Sequence, residues 1–99
     1  MLMGEFVIIN KDFRIEGTTH ALNRMRERAI DQSVVMEVVM GLDAKVLLYN
    51  NSGEEIAIID QEHNIAVIIE VRMDKVVIIT VIDRANIHLK DGTRIEQIA

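Results

Sequence analysis

The chain of 99 residues has no cysteine, no proline and no tryptophan, and its aromatic content is one tyrosine and two phenylalanines. Without cysteine there is no disulfide framework, no thiolate metal site and no cysteine nucleophile. That absence fits a cytoplasmic location, which is the expectation here. Few aromatics leave little surface on which nucleic-acid bases could stack. Basic residues are in the minority, eleven against sixteen acidic ones, for a net charge of -5 and a pI near 5.1. This argues against a protein that coats nucleic acid, because counterion release needs a basic surface. It leaves room for a local basic pocket that binds one phosphate. No apolar run approaches the roughly 18 residues of a membrane span, so no membrane partner is expected. The opening "MLMGEFVIIN" lacks the basic start and long apolar core of a signal peptide.

Nearly half of the residues, 49%, are apolar, too many for a disordered chain. With no low-complexity tract, no Gly/Ser linker and no repeat, residues 1–99 are expected to form a single domain.

Residues Glu5 to Glu16 read as a short N-terminal hairpin, with "FVIIN" and "FRIE" flanking a turn at Lys11-Asp12. After Gly17, Thr18 or Thr19 can cap a helix running from about Thr19 to Ala29, with Leu22, Met25 and Ala29 facing the core. Asp31 or Ser33 can cap a second helix, "SVVMEVVMG", that stops at Gly41. From Ala44 the chain reads as β: "AKVLLYN", "EIAIID", "IAVIIEVR" and "KVVIITVID", with short turns between them. Such turns imply an antiparallel meander. The fold class expected is therefore α+β, two consecutive helices packed on an antiparallel sheet of four or more strands. The tail "NIHLKDGTRIEQIA" reads as a further hairpin across "KDG", or as a strand followed by a frayed helical end.

A turn at Met73-Asp74 pairs Glu70 with Val77 and Arg72 with Lys75. One face then carries Val67, Ile69, Val71, Val76, Ile78 and Thr80, the face for the helices. The other carries Ala66, Ile68, Val77, Ile79 and Val81, and is also largely apolar. A solvated antiparallel sheet alternates apolar and polar residues. The N-terminal hairpin, the tail or a second copy of the chain is expected to cover it, so a homo-oligomer through this face is an expected partner.

Positive charge concentrates in one place, "THALNRMRERAI". Three arginines against Glu27 give this stretch +2, leaving -7 for the rest of the chain. His20, Arg24 and Arg28 repeat at i, i+4 and stack along one side of the helix. His20 falls in the first turn, where the helix dipole favours an anion. Cleavage of RNA by its 2′-hydroxyl needs a base, an acid and cations for the charge on phosphorus. A histidine suits either proton role, and guanidinium matches phosphate geometry. The same residues also suit an ordinary solvated helix face, or a surface that docks an acidic partner.

No glycine-rich phosphate loop, dinucleotide fingerprint or nucleophile elbow occurs, so no cofactor is expected. His63 follows Asp60 and Glu62 in a turn and His88 lies in the tail, an arrangement read as solvated, with no metal site expected.

The segment "HALNRMRERAIDQSVVMEVVMG", followed by strands ending "VVIITVI", resembles a bacterial family of small domains of unknown function. That family is similar to the ribonuclease toxins of the barnase–EndoU–colicin–RelE-like group. The resemblance runs from Thr18 to Ile82, and its motif falls on His20, Ala21, Arg24, Met25, Arg28 and Ile30. It implies helices on a four-stranded antiparallel sheet, and ribonuclease roles on His20, Arg24 and Arg28. A polar residue on the last strand completes such sites, and Thr80 matches it. The acidic charge departs from the basic character of such toxins. Two functions follow as expectations: a metal-independent, RelE-like endoribonuclease of toxin type, with RNA or an antitoxin-like protein as partner, or a non-catalytic oligomeric binding module.

Overall fold

The computed structural model of the chain describes residues 1–83, 89 and 91–98. Along them run β1 (Leu2–Ile8), β2 (Lys11–Gly17), α1 (Thr19–Glu27), α2 (Gln32–Met40), α3 (Lys45–Tyr49), β3 (Ile56–Asp60), β4 (Ile65–Arg72), β5 (Lys75–Asp83) and β6 (Arg94–Ile98). The fold is α+β. The strands form one sheet in the order β1-β2-β5-β4-β3-β6.

The middle of the sheet is the expected antiparallel meander, β3–β4–β5. Its flanks are parallel, β2 beside β5 and β6 beside β3, so the sheet is mixed. Short turns reveal only which strands follow one another, and the parallel joins link strands that do not. The N-terminal hairpin consequently lies in the plane of the sheet as an extension of it. It does not cover the second face. Of the hairpin expected across "KDG", the first arm, apart from Leu89, lies outside the described residues. The second arm is β6, paired parallel with β3.

The N-terminal hairpin turns at Ile9-Asn10, two residues earlier than expected, with φ of 49° and 65°. Positive φ at both central residues gives a two-residue turn whose twist matches that of the strands. Moving the turn to Lys11-Asp12 would keep Ile8, Phe13 and Ile15 on one face. Only the observed register sets Phe6 opposite Phe13, with ring centroids 5.8 Å apart.

The segment "KVLLY" is helical, where a strand was expected. Leu42, Val46 and Tyr49 are buried at i, i+4, i+7 while Leu48 is 75% exposed, the pattern of a helix face. α2 begins at its Asp31 cap and ends at Gly41, as read, but Gly41 keeps ordinary helical angles. A Cβ there would sit 2.8 Å from Ile98 Cδ1, so glycine serves the close approach of β6.

The core lies between the helices and one sheet face. Phe13, Ile15, Ile56, Ile58, Val67, Ile69, Val71, Val76 and Ile78 are fully buried there with Ala21, Met25, Val35, Val38, Val39 and Val46. Ala29, expected on that face, is exposed at φ 53°. α1 stops before it: Ala29 N–H bonds to the Arg26 carbonyl and Ile30 N–H to that of Met25, a Schellman-type ending.

The pairing of β4 with β5 follows the expected register from Arg72↔Lys75 to Ile69↔Ile78, then shifts at a bulge to Ile68↔Thr80. A bulge reverses which face each later residue takes. Val81 joins the buried core, and Thr80 turns to the second face beside Ile68. This overturns the expectation that Thr80 faces the helices and Val81 the other side. On the second face Ala57, Ala66 and Ile68 are buried.

Candidate functional site

The bulge lies where β2 stops. Parallel pairing of β2 with β5 ends at Gly17↔Ile78, so the second half of β5 has β4 on only one side. The chain leaves β2 through Thr18 straight into α1, which packs on β5 more than on any other element. α1 thus takes over the place of β2 along residues 79–83. Thr18 holds the junction. Its N–H donates to the Ile78 carbonyl at 3.1 Å, and its hydroxyl donates to the Ile79 carbonyl at 2.9 Å. The same hydroxyl accepts from Ala21 N–H at 3.0 Å, capping the helix.

A cavity of about 250 Å³ opens between α1 and this part of β5. His20, Arg24 and Arg28 line it from the helix, and Thr80, Val81 and Ile82 from the strand. All four residues singled out in the sequence therefore meet around one cleft. The helical repeat brings the first three to one side. The bulge lets Thr80 reach the cleft from the far face of the sheet, a route the sequence-based register did not contain.

Each arginine has a carboxylate neighbour. Arg24 Nη1 stands 3.7 Å from Glu27 Oε2, with the Arg24 and Glu27 side chains 40% and 63% exposed. Such a pair is worth about 0–1 kcal/mol and yields readily to a better partner. Arg28 Nη1 is bonded to Asp83 Oδ2 at the end of β5, and its Nε is buried with no hydrogen-bond partner among the described residues. The Arg28 guanidinium is thereby held in position, with part of its charge answered by Asp83. His20 is exposed in the first turn of α1. Arg26 lines a different hollow, with Met1, Leu22 and Gln32.

Asp83 is the site residue that sequence reading missed, since 55 positions separate it from Arg28. A second constellation, named in the sequence and read as a solvated turn, is corrected in part, because Asp60 is buried. Asp60, the buried charged residue at the end of β3, lies with its Oδ2 2.5 Å from His63 Nδ1 at i, i+3. Asp60, Glu62 and His63 bring one ligand atom each within 4.8 Å of one another. The Asp60 carboxylate is already engaged there, by His63 and by Glu62 N–H at 3.1 Å.

No protein-family model, no curated protein and no solved structure matches the chain. Among the described residues no helix is long and apolar enough to cross a membrane.

Proposed function

We propose that the cleft binds a phosphodiester and that the protein is a small endoribonuclease-like domain of toxin type. The observation that carries this reading is the convergence of His20, Arg24, Arg28 and Thr80 on one cavity. Arg24, free to leave Glu27, and Arg28, fixed by Asp83, grip the non-bridging oxygens and offset the charge that grows on phosphorus. The His20 imidazole takes the proton of the ribose 2′-hydroxyl as that oxygen attacks phosphorus. The P–O5′ bond breaks, the leaving oxygen takes a proton from solvent, and a 2′,3′-cyclic phosphate remains. The Thr80 hydroxyl donates a positioning hydrogen bond to the phosphate.

The second reading is a non-catalytic, oligomeric binding module. The carboxylate beside each arginine favours it, because a guanidinium that already has a partner is typical of a structural surface. Purified protein with labelled total RNA separates the two across pH 5–8, wild type beside His20→Ala and Arg24→Ala. Cleavage that disappears in both variants supports the enzyme. No cleavage by any of the three, at high protein concentration, leaves the binding module.

A further inference from the structure

A second cavity, of about 180 Å³, adjoins the first on the other face of the sheet. The two share His20, Thr80 and Ile82. Beyond these the walls change character. Ile68, Ile79 and Leu89 make the second cavity mainly apolar, and Glu55 and Thr93 also line it. Neither cavity alone reaches the ~300–1,000 Å³ of an ordinary small-molecule site, and the two together do. A polar half with two guanidinium groups and an apolar half with a few polar groups thus meet at one histidine and one threonine.

We propose that the apolar half is a nucleobase pocket, so that the ligand of the combined site is a nucleoside phosphate unit with its phosphate against Arg24 and Arg28. This rests on the phosphodiester reading of the polar half. The argument is one of complementarity between the two halves. Phosphate belongs with the arginines. What belongs beside it is a flat group with apolar faces and a polar edge, joined to the phosphate by a short linker that passes His20 and Thr80. A base on its ribose has that shape. With no aromatic residue among the described lining residues, the isoleucine side chains and Leu89 sandwich the base by van der Waals contact. Thr93 and Glu55, which also line this cavity, supply polar groups for the edge of the base. The placement also sets the ribose next to His20, the side chain to which the 2′-hydroxyl must give its proton.

The test is binding of the four nucleoside 3′-monophosphates, with ribose 5-phosphate as a sugar phosphate without a base and n-butyl phosphate, each by titration calorimetry. Wild type, Arg24→Ala and Ile79→Trp are compared, the last placing an indole in the apolar cavity. At least one nucleotide is expected to bind wild type tenfold or more tighter than ribose 5-phosphate. Ile79→Trp is expected to erase that margin while leaving ribose 5-phosphate within twofold of its wild-type affinity. A two-dimensional NMR titration of wild type, reading the δ-methyl signals of Ile68 and Ile79, holds even should the tryptophan variant not fold. Those signals are expected to move with the nucleotide and stay in place with ribose 5-phosphate. Equal affinity for all nucleotides and ribose 5-phosphate, weakened throughout by Arg24→Ala, overturns the base pocket and leaves the phosphate cleft standing. Butyl phosphate binding as tightly as the best nucleotide also overturns it, since any apolar group would then serve. Ribose 5-phosphate affinity that is indifferent to Arg24→Ala overturns the phosphate reading beneath it.

Discussion

The hydroxyl of Thr18 donates to the carbonyl of Ile79, 61 positions further along the chain, while accepting the N–H of Ala21. One oxygen thus closes the start of α1 and fastens it to the bulge in β5. Both walls of the cleft depend on that junction. Thr18→Ala is expected to cost about 1–3 kcal/mol, a cap together with a hydrogen bond to backbone. Thr18→Ser is expected to recover most of it. Urea unfolding of the three proteins, read by far-UV circular dichroism, measures the difference. Equal midpoints for wild type and Thr18→Ala would show that the junction is held by other contacts.

On the proposed phosphodiester reading, a phosphate entering the cleft competes with Asp83 for the Arg28 guanidinium, which Asp83 holds in the free protein. Asp83→Asn is expected to tighten binding of inorganic phosphate severalfold, and Arg28→Ala to weaken it by about tenfold, the scale of a charge-assisted bond. Phosphate titrations followed by NMR decide it. The stability change for Asp83→Asn should stay within about 1 kcal/mol, because the pair is partly solvated.

Ala29 ends α1 in a left-handed conformation, at φ 53°, with its side chain in solvent. A Cβ there is opposed by the following carbonyl at about 1–2 kcal/mol, partly offset by the greater unfolded-state freedom of glycine. Ala29→Gly is expected to stabilise the fold by about 0.5–1 kcal/mol, read as a rise in Tm of roughly 2–6 °C. A fall in Tm would mean that the helix end is held by something other than this turn.

Tyr49 of α3 donates its hydroxyl to Glu96 of β6 at 2.5 Å, and Lys45 reaches the other oxygen at 2.9 Å. Loss of the phenol oxygen in Tyr49→Phe is expected to cost about 1–3 kcal/mol, since its acceptor is charged. Guanidinium denaturation would register this. An unchanged midpoint would show that Lys45 alone satisfies the carboxylate.

Two groups give stability opposite pH dependences. The bond from Asp60, reinforced by the nearby carboxylates of Glu62 and Glu37, raises the pKa of His63 above 6.5, against a smaller opposing effect of desolvation. A raised value in the folded state means stability that is whole below about pH 6.5 and is lost as pH climbs through the folded pKa. The hydrogen bonds from Tyr49 and then Lys45 hold Glu96 below its ordinary 4.5. Its contribution is whole above pH 4.5 and is lost as pH falls through the folded pKa. Urea midpoints from pH 3 to 9 should trace a dome. His63→Gln should flatten the alkaline side and Glu96→Gln the acid side. A variant that keeps the full wild-type slope on its own side would refute the assignment for that residue.

Much of this architecture can be read from residue patterns alone. The β4–β5 hairpin is legible because alternating apolar residues and a two-residue turn define a register without reference to the rest of the fold. The alignment of His20, Arg24 and Arg28 is legible for the same local reason. What escaped reading depends on partners distant in sequence. A single inserted residue at the bulge moves Thr80 to the opposite face, and nothing in "VVIITVID" marks it. The short helix of Tyr49 is held by its packing and by Glu96, 47 positions away. Asp83 looks like an ordinary strand end until the fold sets Arg28 against it.

The parallel join of β2 to β5 also orders events in time. The meander β3–β4–β5 brings together near neighbours and can pair early, whereas β2 must wait for a loop of some sixty residues to close. During synthesis the arginine helix leaves the ribosome well before the strand that forms the opposite wall of the cleft. A nascent chain therefore carries the positive charges before it carries the cleft, which comes into being only when β2 and α1 close on β5.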